Sequence, residues 1–412
     1  MSSRRQRLLH NILLGVLGSA SYAVLAETGG RIAVNHGLGW DGANYVRMMV
    51  DGIDHGSANT QLRPAIVLLN RVGFWIQPQP IAAFELMNVL YAGLFAVSLA
   101  FILDSYDARP AAKWFFVATV AISIATAQML AYYPVLIDLG AYTVAAAAIL
   151  FAVRGPSVAT AVLCVLAALS REFGIAVAAF GVCRAIRFRV RPWRIAAVYA
   201  PSFLAFFALR ALVNRAAAGG TVAAPVTMHA LLANLSLWTD PLFAGLFFYF
   251  MATLLGGVSM VLMSRLGACL RLLWREPEWL VFSVLILAAS AAGSADIWRY
   301  LAFLTPAMGM LFARLDATWS APTRIALFTL AGALTFYTQR PFRTVTLERY
   351  FSEWFPYYTV TAGVPAELQL HVSLWPAWGW RFLVVAVGLV VMSALHDRLA
   401  RVPDETPALV KS

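Results

Sequence analysis

Long apolar runs constrain this chain more than any other feature. Seven of them, at 8–26, 81–103, 114–132, 136–153, 195–212, 241–263 and 379–396, match the roughly 17–25 residues that a bilayer-spanning helix needs. Five shorter runs lie at 157–169, 172–183, 279–293, 300–313 and 325–338. Inside lipid, a segment must satisfy its own backbone N–H and C=O groups, which only helices and closed barrels achieve. Runs of this length predict an all-α fold class, a polytopic membrane bundle. Composition excludes the alternative: 61% of residues are hydrophobic and 12% charged, about half the charge with which a soluble domain covers its surface.

The net charge of +11 would suggest nucleic acid in a soluble protein, so its placement matters. With Arg4, Arg5 and Arg7 inside and every run crossing, the inner connections hold 19 of the 31 Lys and Arg and eight of the 20 acids. The outer segments then carry 12 bases and 12 acids. The whole excess falls on one face, as the positive-inside rule requires. The expectation is about twelve crossings, several by short helices, both termini cytoplasmic, and a multi-pass protein of the cell inner membrane with no nucleic-acid partner. The first run resembles a signal peptide, with Val24-Leu25-Ala26 as a cleavage site, but its length favours an uncleaved anchor.

Residues 1–412 read as one transmembrane domain. Its long outer segments are 27–80, 213–240 and 339–378. In 27–80, residues 43–50 and 62–76 have the amphipathic pattern of helices lying in the interface. Asp41, in Trp40-Asp41-Gly42-Ala43-Asn44-Tyr45, stands where a helix N-cap would, and Arg63-Pro64 opens the second helix.

Ser170-Arg171-Glu172-Phe173-Gly174 separates two short apolar runs. One helix through 157–183 would bury both charges near the bilayer centre, at about 2.5–3.5 kcal/mol each. Two short helices meeting there cost less. Ionisable residues at membrane depth are functional candidates, although Arg171 and Glu172 could form a structural ion pair. Asp296-Ile297-Trp298-Arg299-Tyr300, with Pro306 beyond it, makes another outer turn. Arg299 there offers a planar fork to a phosphate or pairs locally with Asp296. Tyr132-Tyr133-Pro134 with Asp138 reads as a capped helix start or as a third polar cluster. The aromatics of 339–378 read as an interfacial belt. The chain has no phosphate-binding Gly-rich loop, no ligand spacing among its six His and no nucleophile elbow. No convincing internal repeat of the kind secondary transporters carry is present either.

In their order and shared sidedness, Trp40-Asp41-Gly42 with Tyr45, Arg63-Pro64, Asp138 after Tyr133-Pro134, Arg171-Glu172, and Asp296 through Arg299-Tyr300 resemble the GT-C superfamily. These are integral-membrane glycosyltransferases that use polyprenyl-phosphate sugars, and the likeness covers most of residues 1–313. The resemblance implies interfacial helices in the first outer loop. It implies Asp41 as general base on an acceptor hydroxyl, assisted by a second acid, Glu172 or Asp138. It implies Arg171, Arg299 and Arg63 on the lipid phosphate, with Tyr45 and Tyr300 beside the substrate. No cofactor is implied beyond a divalent metal in some branches, and no metal ligand is assigned. Asp41 lacks the close second acid that many members carry.

The expected function is transfer of a sugar from a polyprenyl-phosphate donor to a glycan or lipid acceptor at the outer (periplasmic) face of the bilayer. The alternatives are a transporter or flippase of a lipid-linked or anionic substrate, a polymerase or ligase of lipid-linked glycans, and a catalytically inactive relative.

Overall fold

The structure, a computed structural model, describes residues 3–218, 235, 237–239, 241–293, 297–341, 343–349, 353–354 and 374–399. Among these the chain is helical, without strands. Helix α1 (Ser3–Thr28) packs along α5 (Pro80–Asp104), with the segment between them folded as α2 (Gly42–Val50), α3 (Ala58–Gln61) and α4 (Pro64–Ile76). The two amphipathic stretches of the first long segment are thus helices, α2 and α4. Proline opens both α4 and α5, where its missing N–H costs no helical bond.

The chain continues through α6 (Pro110–Ala121), a π-helical turn at Ile124–Gln128, α7 (Met129–Tyr132) and α8 (Asp138–Arg154). At 171–172 the chain forms the two short helices that the cost of burying both charges favours, a hairpin of α9 (Val158–Ser170) and α10 (Gly174–Arg187). Arg171 is extended between them, and a methyl on Gly174 would run into the Ala167 carbonyl, so glycine permits the close approach. Then come α11 (Pro192–Ala218), α12 (Pro241–Thr253), α13 (Gly257–Ser264), α14 (Leu266–Arg275), α15 (Pro277–Gly293) and α16 (Ile297–Leu301). Helices α17 (Thr305–Asp316), α18 (Ala321–Gln339), the single turn α19 (Leu347–Arg349) and α20 (Leu374–Leu399) complete the described chain.

Four helices are long and apolar enough to cross a membrane, six if two bent pairs each count as one. The bent pairs revise two expected spans. The run 114–132 bends by 53° after Ala121, and 241–263 turns by 103° between α12 and α13. Backbone groups freed at such breaks need partners in an apolar surround. Buried Gln339 supplies them. Its side chain accepts from the Ile124 N–H (2.7 Å) and donates to the Thr253 carbonyl (2.6 Å), while Gln128 donates to the Gln339 carbonyl (2.8 Å). The Gly257 N–H donates to the Thr335 hydroxyl. One polar knot therefore joins both breaks to the end of α18.

Ion pairs fall into two sets. Lys113 meets Asp104, Arg187 and Arg314 meet Glu276, Arg184 meets Glu278, Arg324 meets Asp316 and Arg265 meets Asp397. Arg31–Glu85, Arg63–Glu172 and the partners of Asp138 and Glu353 make up the other set. Every ion pair among the described residues joins groups that the charge count assigned to one face.

Candidate functional site

Asp138 is the first residue of α8 and is fully buried. One carboxylate oxygen accepts from an Arg171 Nη; the other accepts from Arg299 Nε (3.1 Å) and Nη2 (2.8 Å). Arg171 is 1% exposed and Arg299 6%. Charges so enclosed persist when paired and hydrogen-bonded. Tyr142, one turn into α8, donates its hydroxyl to the Arg299 carbonyl (2.7 Å) and so fixes the short helix α16. The guanidinium of Arg171 also stands over the Tyr300 ring at 5.8 Å, and Phe173 packs on that ring at 4.7 Å. The Arg171 Nε–H is buried with no partner among the described residues.

Arg63 and Glu172 form the next layer. The backbone before Pro64 is barred from helical geometry, which leaves Arg63 at the mouth of α4. Its Nε donates to a Glu172 oxygen at 3.0 Å, its Nη2 pairs with the same oxygen at 2.9 Å, and its Nη1 donates to the buried Tyr45 hydroxyl at 3.1 Å. The Glu172 side chain is 31% exposed and that of Arg63 14%. Burial opposes ionisation of Glu172, but Arg63 and then Arg171 outweigh it and hold the carboxyl down at about 2. Arg210, on α11, also acts electrostatically on Glu172 and Arg63.

Asp41 occupies the position before α2, yet its side chain caps nothing. Its carboxylate is half-buried and makes no hydrogen bond or ion pair among the described residues. What holds the segment is Tyr133. The Gly42 N–H donates to its hydroxyl (3.0 Å), the Trp40 ring meets it edge-on at 6.3 Å, and a methyl on Gly42 would collide with Val135. Burial pushes the Tyr133 phenol up, and both Asp41 and Arg299 act on it electrostatically.

The expected residues therefore converge: Asp138, Arg171, Arg299 and Tyr300 in one layer, Arg63, Glu172 and Tyr45 against it, and Asp41 beside Tyr133. The partners differ from the local pairs that the sequence suggested. Arg171 pairs with Asp138 rather than with Glu172, and Glu172 takes Arg63. The described partner of Arg299 is Asp138; Asp296, its expected local partner, lies outside the described residues, as does most of the aromatic belt of 339–378. Tyr142, Tyr133 as an anchor, and Arg210 are additions. Only Tyr142 had a readable signal, its i+4 spacing from Asp138 on one helix face.

Comparison with protein-family models, with characterised proteins and with solved structures finds no match for this chain. The chemistry must be read from the site itself. Among the described residues, three guanidinium groups and two carboxylates meet in the Asp138–Glu172 cluster. Among the described residues, no group of three His, Cys, Asp or Glu is arranged to hold a metal ion.

Proposed function

We propose that this chain is a membrane glycosyltransferase of GT-C type, moving a sugar from a polyprenyl-phosphate donor to a glycan or lipid acceptor at the outer face of the inner membrane. The observation that carries the reading is a free carboxylate beside a cation-rich cluster. Among the described residues, Asp41 alone of the three candidate acids has no cationic partner. Asp138 has both oxygens filled by guanidinium donors and is a positioning residue for Arg171 and Arg299. Glu172 does the same for Arg63.

In this reading the acceptor hydroxyl gives its proton to Asp41 as its oxygen bonds to C1 of the sugar. The bond from C1 to the phosphate oxygen breaks, and the electron pair leaves with the lipid phosphate. Arg63 at the mouth, with Arg171 behind it, stabilises that phosphate; fixed positive charge takes the place of a general acid. The polyprenyl chain stays in the bilayer. That no described ion pair joins the two faces of the charge count supports the topology of about twelve crossings, with the short helices α9, α10 and α17 among them and both termini cytoplasmic.

One observation favours a second reading, a carrier of a lipid-linked or anionic substrate. Two broken helices meet at Gln339, and discontinuous helices are the usual frame of a transport site. Proteoliposomes supplied with radiolabelled polyprenyl-phosphate sugars separate the two. Label joined covalently to acceptor supports transfer. Label that crosses the bilayer still on its lipid, with none joined to acceptor, overturns it.

A further inference from the structure

A second concentration of charge lies where α18, α19 and the start of α20 meet. Glu353 accepts from Arg340 Nη1 (3.2 Å) and Arg349 Nε (3.0 Å), pairs with Arg381 Nη2 (3.0 Å), and has Arg343 at 3.8 Å. Its side chain is 14% exposed. Among the described residues, four guanidinium groups thus surround one carboxylate. Arg349 is further fixed by donating to the Arg343 (2.6 Å) and Thr344 (3.3 Å) carbonyls, so the cage is built by the backbone as well as by Glu353.

Beneath the carboxylate lies a small cavity lined by Arg340, Arg381, Glu353, Tyr249, Ile124 and Trp298. Its free space is about 10 Å³, room for one water. Trp298 is 2% exposed and its indole N–H has no partner among the described residues, although buried polar groups are almost always paired. Ile124, in the wall, belongs to the helix break tied down by Gln339, the residue before Arg340. The cage therefore sits on the knot where both broken helices end.

One carboxylate is a poor match for this surround. It carries a single negative charge and two oxygens. A phosphate group carries roughly 1.5–2 negative charges and three acceptor oxygens, and arginine forks suit it. We propose that the Arg340–Arg349–Arg381 cage is an oxyanion site for the phosphate group of a ligand, separate from the Asp138 cluster, and that Glu353 is its built-in occupant, displaced when the ligand enters. The Trp298 N–H supplies a further donor once the carboxylate has moved. This site stands independently of the sugar-transfer reading.

The test uses the full chain in phosphatidylcholine nanodiscs. One arm measures equilibrium binding of radiolabelled inorganic phosphate; the other measures spin-labelled phosphatidic acid introduced into the disc. Glu353→Gln removes the competing charge. If the carboxylate fills the cage nine-tenths of the time, apparent affinity rises about tenfold. Arg381→Gln in the same background abolishes that gain, and Arg63→Gln leaves it intact, which separates this site from the Asp138 cluster. A gain in the first arm alone identifies a soluble phosphate as the ligand class; a gain in the second identifies a lipid headgroup. The proposal is overturned if Glu353→Gln binds no more tightly than wild type in both arms, or if the gain survives Arg381→Gln. Should Glu353→Gln fail to give a monodisperse protein, Glu353→Asp, which draws the charge back by one methylene, is expected to raise affinity in the same direction, and no rise overturns the proposal.

Discussion

Replacing Asp138 with asparagine removes the one anion that the buried layer of the site possesses. Asp138 is wholly enclosed and receives three guanidinium N–H bonds, one from Arg171 and two from Arg299. Each such charge-assisted bond contributes about 1.5–3 kcal/mol. An amide keeps one acceptor oxygen and turns a donor toward a guanidinium, so about one bond survives and two cations are left without a counter-charge. Breaking a buried pair in this way costs about 3–5 kcal/mol, a large part of the 5–15 kcal/mol by which a folded domain typically exceeds its unfolded state. Arg171→Gln is milder, at about 1–3 kcal/mol, because Asp138 keeps both bonds from Arg299. Replacing all three, Asp138→Leu with Arg171→Met and Arg299→Met, removes charge and counter-charge together and recovers most of the loss. Unfolding free energies from a denaturing-detergent titration in mixed micelles give the order. The reasoning is refuted if Asp138→Asn costs less than about 1 kcal/mol, or if Arg171→Gln costs more than Asp138→Asn.

Two further substitutions test the neighbouring layers. Glu172 has its carboxyl held down at about 2 against an ordinary 4.5, so its contribution is complete above the ordinary value and is lost as pH falls toward 2. The stability difference between wild type and Glu172→Gln is therefore expected to be flat from about pH 8 to pH 5 and to shrink below that; a difference that changes between those two pH values contradicts the assignment. Gln339→Leu strands the Ile124 N–H and the Thr253 carbonyl, at about 1–3 kcal/mol for each orphaned group, and hydrogen exchange at Ile124 should accelerate; unchanged protection there would show that the knot does not hold the break.

Much of this arrangement was legible before any coordinates. Charge placement put Arg63, Asp138, Arg171, Glu172 and Arg299 on one face, and the polar interruption at Arg171-Glu172 marked the hairpin, because a charged pair cannot be left in the middle of a lipid-facing helix. Pairing was not legible. Asp138 lies 33 residues from Arg171 and 161 from Arg299, and no local pattern chooses such partners over the adjacent Glu172 or Asp296. The two helix breaks were hidden for a different reason. Hydropathy sums side chains, and the runs 114–132 and 241–263 carry no charge and are apolar on average; the bends are marked by Ser123, Thr126 and Gln128 in one and Gly256-Gly257 in the other. The polar residue that repairs both, Gln339, stands at the far end of a third helix.

The central claim is that Asp41 removes a proton from the acceptor while the cationic cluster holds the departing lipid phosphate. Single-turnover sugar transfer by wild type and Asp41→Asn, in proteoliposomes with saturating polyprenyl-phosphate donor, tests it most directly. A positioned general base contributes about 10²–10⁴-fold, so the variant should lose at least about a hundredfold in transfer rate while its donor affinity stays unchanged. Transfer at the wild-type rate by Asp41→Asn would contradict the account.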